Sequence, residues 1–317
     1  MEIGGYFELE LRRGQEYHPY AIKLNTGISA FKYILKARGY KKVYLPYYTC
    51  ASMLNSIRSM ELGFEFYHIN DRFEPLFDFT GIKKDEVFVY TNYFGLLDNV
   101  VLKLAGQCQN LIIDNAQSFY SKPIPDIDTF YSARKFFGVP DGAYLYTNCK
   151  TVNDLPTDLS WDRFAHLLNR IDNGPDIGYQ DFKDNNKKLG DLPILGMSKL
   201  TQALLRNIDY AEIRKKRRAN FLRLEKDLSK FNKIKLPIDE HMVPMVYPFL
   251  TNHTELRQKL IADRIYVATY WPNVYEWVES KTVEFKFTGN LVPLPVDQRI
   301  EQRSLGYMIR KVLDICL

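Results

Sequence analysis

The chain has 317 residues, about twice the usual length of one domain, so it holds one large or two modest domains. With 46% hydrophobic and 26% charged residues, 17 Gly and 15 Pro, its composition excludes a disordered, collagen-like or low-complexity chain. Its 43 Lys and Arg against 38 Asp and Glu leave +5, a mild excess that gives no reason to expect nucleic acid or an acidic membrane as partner.

From residue 22 to 147, short apolar runs alternate with helical patterns, the signature of an α/β fold with a mostly parallel sheet and crossover helices. The spacing predicts a helix from Thr26 to Arg38, with Ala30, Phe31, Ile34 and Leu35 on one face and Gly39 as its stop. A strand at Val43–Leu45 ends at Pro46, a helix covers Ala51 to Leu62, and a second strand follows at Phe64–Ile69. Val87–Thr91 is a strand, Leu97 to Cys108 a helix, and Leu111–Ile113, Thr129–Tyr131 and Ala143–Tyr146 are further strands.

Past residue 150 the pattern reads as a smaller α+β unit. Helices are expected over 158–172, 198–231, 252–263 and 299–315, with strands at 243–250 and 265–271. Residues 174–195, rich in Asp, Asn, Lys, Gly and Pro, read as a long loop of the functional or mobile kind. The expected division is 1–195 and 196–317. The basic run Arg214–Arg218 reads as a solvated helix face. Four cysteines, at 50, 108, 149 and 316, form no CxxC or Cys/His cluster, and the five histidines show no metal spacing. No disulfide framework or zinc module is therefore expected, and a reducing cytoplasm suits the chain. No leader segment and no apolar run of membrane-spanning length stands out.

Three segments combine residue types that packing alone does not require. Leu111–Ile113 is an apolar strand that ends in Asp114; the C-terminal strand ends of a parallel sheet face the ligand crevice, so Asp114 is either a site carboxylate or a turn cap. Lys135 follows Ser132 among Phe130, Tyr131, Phe136 and Phe137. It is either an amine made nucleophilic by apolar surroundings or a surface lysine lying over a ring. Asn25-Thr26-Gly27-Ile28-Ser29 opens the first helix, where free amides would hold a phosphate or Thr26 would simply cap. A phosphate seat, a carboxylate and a lysine together are the set that pyridoxal phosphate needs.

Here the sequence resembles the DegT-type sugar aminotransferases, a branch of the fold-type I pyridoxal-phosphate enzymes, from about residue 22 to the end. Asn25 to Phe31 is similar to the family's Ser-Gly-Thr-Ala-Ala-Leu helix start, and Leu45 to Cys50 to its Pro-x-x-Thr-aromatic segment. Tyr93-Phe94-Gly95 resembles its Tyr-Gly, Ile113 to Ser118 its Glu-Asp-Ala-Ala-Gln-Ala, and Leu294 to Arg299 its Leu-Pro-Ile-Asp-Gln-Arg close. The resemblance implies a large coenzyme-binding domain with a mostly parallel sheet of the seven-stranded type, a smaller C-terminal α+β domain, and a homodimer.

Position by position, it also implies that Lys135 holds the coenzyme covalently and shuttles the proton. Asp114 pairs with the ring nitrogen, Gln117 lies near the phenolic oxygen, and Ser132 with the Gly27 and Ile28 amides cradles the phosphate. Cys50 stands where the family's ring-stacking aromatic falls, and Tyr93 is expected near the substrate, with Tyr48 or Tyr93 as substitutes for the stacking face. The clustered aromatic residues around Lys135 are expected to keep its amine deprotonated. Other departures are Ile28 for a threonine, Asp141-Gly142-Ala143 for Glu-Gly-Gly, a shortened Ser132-to-Lys135 interval, and Ile194-Leu195-Gly196-Met197 for Asn-Tyr-Arg-Met. The implied reaction moves an amino group from glutamate to a keto-sugar on a nucleotide. The alternatives are a silent relative that binds a sugar nucleotide or a protein partner, and a pyridoxal-phosphate enzyme acting on an amino acid.

Overall fold

The structure, a computed structural model, describes residues 3–149 and 155–317. Its first half runs β1 (Ile22–Leu24), α1 (Gly27–Arg38), β2 (Lys42–Pro46), α2 (Ala51–Ser59), β3 (Gly63–Ile69), β4 (Pro75–Leu76), β5 (Glu86–Thr91), α3 (Asp98–Ala105), β6 (Leu111–Asn115), β7 (Asp128–Ser132) and β8 (Ala143–Tyr146). Helix α1 starts where the Thr26 hydroxyl accepts the Ser29 amide at 2.9 Å. It stops at Gly39, whose φ of 68° is open to glycine at little strain and lets its amide close on the Leu35 carbonyl.

The sheet order is β1-β8-β7-β6-β5-β2-β3-β4. β3, β2, β5, β6 and β7 run parallel, while β8 pairs antiparallel with β7 and β4 with β3. The sheet has eight strands, the six read along the sequence plus the three-residue β1 and two-residue β4, short edges below the length that sequence periodicity can register. The chain moves outward from β2 to β3 and then returns to β5 on the other side of β2. The order of connection reverses between β2 and β5, and the crevice outside the C-terminal strand ends there is where open α/β sheets bind ligands.

Side-chain alternation separates two cores. Val87, Val89, Ile112, Phe130 and Leu145 meet α1 and α2, while Phe88, Tyr90, Ile113, Tyr131 and Tyr144 face the opposite layer with Val100 and Leu104 of α3. That second core continues without a break into the C-terminal part of the chain through Phe221, Tyr247, Phe249, Leu294 and Val312.

The second half runs α4 (Ala165–Asp172), α5 (Tyr179–Asp191), α6 (Lys199–Arg206), α7 (Tyr210–Leu228), β9 (Val246–Leu250), α8 (Leu256–Ala262), α9 (Val274–Trp277), α10 (Val283–Asn290), β10 (Leu291–Pro295) and α11 (Gln302–Cys316). Three expectations fail here. The loop expected over 174–195 contains α5, whose inner positions include Asn185, bonded through Nδ2 to the Pro140 carbonyl at 2.9 Å; a polar residue on the buried face hid the amphipathic period. The strand expected at 265–271 is irregular, because β9 pairs instead with β10. Two prolines concealed β10; an edge strand tolerates them because their missing N–H groups face outward. The helix expected over 198–231 is split at Asn207–Asp209, where the Asp209 side chain caps α7 by accepting the Glu212 amide at 3.0 Å.

Candidate active site

The row Thr91, Asp114 and Phe130 lies straight across β5, β6 and β7. Its members share parity with Val89 and Ile112, so Asp114 stands on the sheet face that α1 covers. The same face brings in the helix start: a β-carbon at Gly27 would lie 3.6 Å from the Phe130 ring and 4.0 Å from Cβ of Ser132. The Gly27 and Ile28 amides precede the first helical bond, from Ala30 N to the Thr26 carbonyl. Together with the helix dipole they leave an anion seat beside Ser132 at the end of β7. The Thr26 hydroxyl donates to the Ser29 Oγ at 2.9 Å.

Asp114 is 7% exposed, and its Oδ1 accepts the Ala116 amide at 2.8 Å. Burial raises its carboxyl above the usual carboxylate range; the charge of Lys135, the Ala116 amide and the Thr91 side chain each pull it back down. The Lys135 charge therefore acts on the Asp114 carboxyl. Lys135 ends a single 3-10 turn, Ala133–Lys135, that follows β7 directly.

Lys135 itself is exposed, which corrects the expectation of an apolar cage around its amine. The Phe136 and Phe137 amides both close on the Ala133 carbonyl, and the two rings turn inward. Phe137 packs edge-on against Phe119 at 4.8 Å and against Tyr210 at 5.4 Å. These rings fill the core behind the lysine instead of lining it.

Gln117 is buried two residues past the end of β6. Its Oε1 accepts the Phe94 amide at 2.9 Å, and its Nε2 has no partner. A buried donor without a partner is unfavourable by about 1–3 kcal/mol, so this amide is poised for a ligand acceptor. Phe94 sits at φ 62° and Gly95 at φ 72°, a tight corner held by Gln117 and by the Met245 amide, which donates to the Phe94 carbonyl at 2.7 Å. A β-carbon on Gly95 would meet the Val243 carbonyl oxygen at 2.6 Å. Gly95→Ala should therefore destabilise the protein by more than about 1 kcal/mol, which calorimetry would read as a melting point lower by at least about 2 °C.

Two of the sequence-predicted residues land elsewhere. Tyr93 is fully buried and donates its hydroxyl to the Tyr48 carbonyl at 2.8 Å, so it backs the site and does not face a substrate. Tyr48 is also fully buried, with its ring against Trp271 at 5.0 Å and Phe287 at 5.7 Å, and offers no stacking face. Cys50 is half-buried before the first turn of α2, its Sγ 3.1 Å from the Ser52 hydroxyl.

A cavity of about 450 Å³ lies between α4, α5 and the turn before α4, and none of the candidate site residues lines it. Two of the cations there are matched, Arg163 to Asp158 at 2.8 Å and Lys188 to Asp162 at 3.4 Å. Among the described residues no group of His, Cys, Asp and Glu could hold a metal ion, and no helix is long and apolar enough to cross a membrane.

No protein-family model matches the chain, and no curated protein sequence matches it significantly. Solved structures do. NtdA from Bacillus subtilis, with bound cofactor PMP, superposes with a TM-score of 0.66 over 94% of this chain and 73% of that one, at 13% identity. Spr1654, a putative sugar aminotransferase from Streptococcus pneumoniae in its apo form, gives 0.64 over 93% and 86%, at 13% identity. DesV from S. venezuelae gives 0.63 over 93% and 84%, at 17% identity. The chain has the sugar-aminotransferase fold.

Within this aminotransferase fold, the residue that sequence reading most misjudged is Arg217. The basic run was expected to be solvated, yet Arg217 is 2% exposed, and burial pulls its guanidinium down to about 10. Its spacing is the available signal: Arg217 stands one turn before Phe221 and two turns before Leu224, the i, i+4, i+7 stripe that faces the core.

Proposed function

We propose that this protein is a pyridoxal-phosphate-dependent aminotransferase that moves an amino group from glutamate to a keto-sugar carried on a nucleotide. The observation that carries the reading is the buried Asp114 carboxyl, within reach of the Lys135 charge and on the same sheet face as the open start of α1. The orphaned Nε2 of Gln117 and the close approach of the Gly27 backbone to Phe130 and Ser132 fit the same coenzyme. Amino transfer and the keto-sugar acceptor follow from the family resemblance and from the sugar aminotransferases that share this fold.

When bound, pyridoxal phosphate supplies an electrophilic carbon and an electron sink. Asp114 would hold a negative charge for the ring nitrogen, and Gln117 Nε2 would be the donor for the phenolic oxygen. The Gly27 and Ile28 amides and the Ser132 hydroxyl would hold the phosphate. Lys135, whose side chain is exposed, would be the group that moves the proton. In this reading residues 1–195 seat the coenzyme and residues 196–317 shape the substrate side.

The test is an absorbance scan of purified protein mixed with pyridoxal phosphate. A visible band that bleaches with borohydride and is lost on adding glutamate supports the reading; no such band overturns it. A screen of acceptors then decides the substrate class, and amination of simple keto acids but of no nucleotide-linked keto-sugar would overturn the sugar assignment.

The same reading includes a homodimer. Trp161, Ile171, Ile177 and Tyr179 around α4 and α5 are more than half exposed, Ile171 at 80%, an apolar surface that suits a second copy. Ile171→Glu combined with Trp161→Asp should convert a dimer to monomers in sedimentation. A wild-type chain that sediments as a monomer would remove the dimer from the proposal.

A further inference from the structure

A buried arginine without a carboxylate contact is unfavourable by several kcal/mol unless its donors are satisfied. Arg217 spends them on four groups: the Gln298 Oε1 at 3.1 Å, the Pro244 carbonyl at 3.3 Å, the Met245 carbonyl at 3.1 Å and the Phe136 carbonyl at 3.4 Å. Its guanidinium also lies 4.6 Å from the centre of the Phe136 ring. Gln298 reaches the same Phe136 carbonyl through Nε2 at 2.9 Å. Two side chains from the C-terminal half thus converge on the backbone one residue after Lys135.

The other arm of Arg217 leads to the far side of the site. Met245, whose carbonyl it binds, donates its amide to the Phe94 carbonyl, and the Phe94 amide donates to Gln117 Oε1. Packing alone would explain a buried Leu or Met at this place on α7. It does not explain a cation whose hydrogen bonds join the Lys135 turn to the corner that holds Gln117.

We infer that Arg217 and Gln298 are positioning residues that clamp the Phe136 carbonyl and thereby fix where the Lys135 amine stands relative to Gln117. The inference rests on the coenzyme reading above. The 3-10 turn is tied at its start by the Ala133 amide on the Gly142 carbonyl at 3.1 Å and by Arg134 on the Asn186 side chain at 2.6 Å, and the clamp on the Phe136 carbonyl is the tertiary restraint on its far end, directly after the exposed Lys135.

The decisive experiment measures how fast Lys135 captures pyridoxal phosphate, a step in which its nitrogen forms a C=N bond to the coenzyme aldehyde carbon and water leaves. Stopped-flow absorbance on coenzyme-free protein reads this rate, and the equilibrium affinity for pyridoxamine phosphate, which makes no bond to the lysine, is measured beside it. Gln298→Leu removes one of the two donors at a half-buried position and should slow capture by about tenfold, since misplacing a reacting group by 1 Å has effects on the order of a hundredfold. Its pyridoxamine phosphate affinity should stay unchanged. Arg217→Met should slow capture further, and Arg217→Lys, which keeps a donor, should recover part of the rate. Equal capture rates in wild type and Gln298→Leu, or a parallel loss of pyridoxamine phosphate affinity, would overturn the clamp. Failure of the wild-type protein to capture pyridoxal phosphate at all would instead overturn the coenzyme reading, so the two failures are told apart.

Discussion

Replacing Lys135 with alanine should abolish amino-group transfer while leaving the fold intact. A positioned amine that moves a proton is worth about two to four orders of magnitude in rate, and covalent capture of the coenzyme is lost with it. The Lys135 side chain is exposed, and the bonds that hold its turn are made by neighbouring residues, so stability should shift by no more than about 0.5 kcal/mol. The measurement pairs turnover with a melting curve of the coenzyme-free protein. Near wild-type turnover in the variant would sink the assignment of Lys135. A collapse of stability would show that the lysine supports the fold instead.

Asp114→Asn should move binding and stability in opposite directions. In the folded chain burial raises the Asp114 carboxyl, with Lys135 opposing that rise only in part. The folded state therefore prefers the neutral carboxyl, and the unfolded chain ionises first as the pH climbs. Stability is lost between the ordinary carboxylate value and the raised one and stays lost at neutral pH. Asparagine cannot ionise and still offers Oδ1 to the Ala116 amide, so the coenzyme-free variant should melt higher than wild type at pH 7, with the gap closing in acid. Coenzyme affinity should fall in turn, since a charge-assisted hydrogen bond of about 1.5–3 kcal/mol goes with the carboxylate. That is a loss on the order of 10- to 100-fold, readable by titration with pyridoxamine phosphate. A variant with lower stability at neutral pH and unchanged affinity would remove Asp114 from the site.

These two residues were legible early because each stands at a strand end, where chain order and apolar runs give direct signals. Asp114 follows Leu111–Ile113, and Lys135 follows β7 after one turn. The Gly27 seat was legible for the same reason, since a helix start has its own chemistry. Tyr93 was misread as a substrate contact. An aromatic next to a site and an aromatic behind it have the same sequence neighbours, and the hydroxyl's commitment to the Tyr48 carbonyl exists only in three dimensions. Helix α5 and strand β10 were missed because Asn185 sits on a buried face and prolines sit on an edge, both set by partners far along the chain.

The sequence by itself determined the parallel α/β core, the place of α1 with its cap and stop, and the candidate trio of carboxylate, amine and anion seat. Hydrophobic periodicity and capping are local, and local signals survive in one dimension. Only the tertiary structure decided that Lys135 is open while its neighbouring rings turn inward, and that Tyr48 and Tyr93 are buried in the core. It also decided that one member of a five-residue basic run is buried. Arg217 lies 82 residues from Lys135, and what separates it from Arg218 is which side of α7 meets the core, a fact fixed by packing between distant segments.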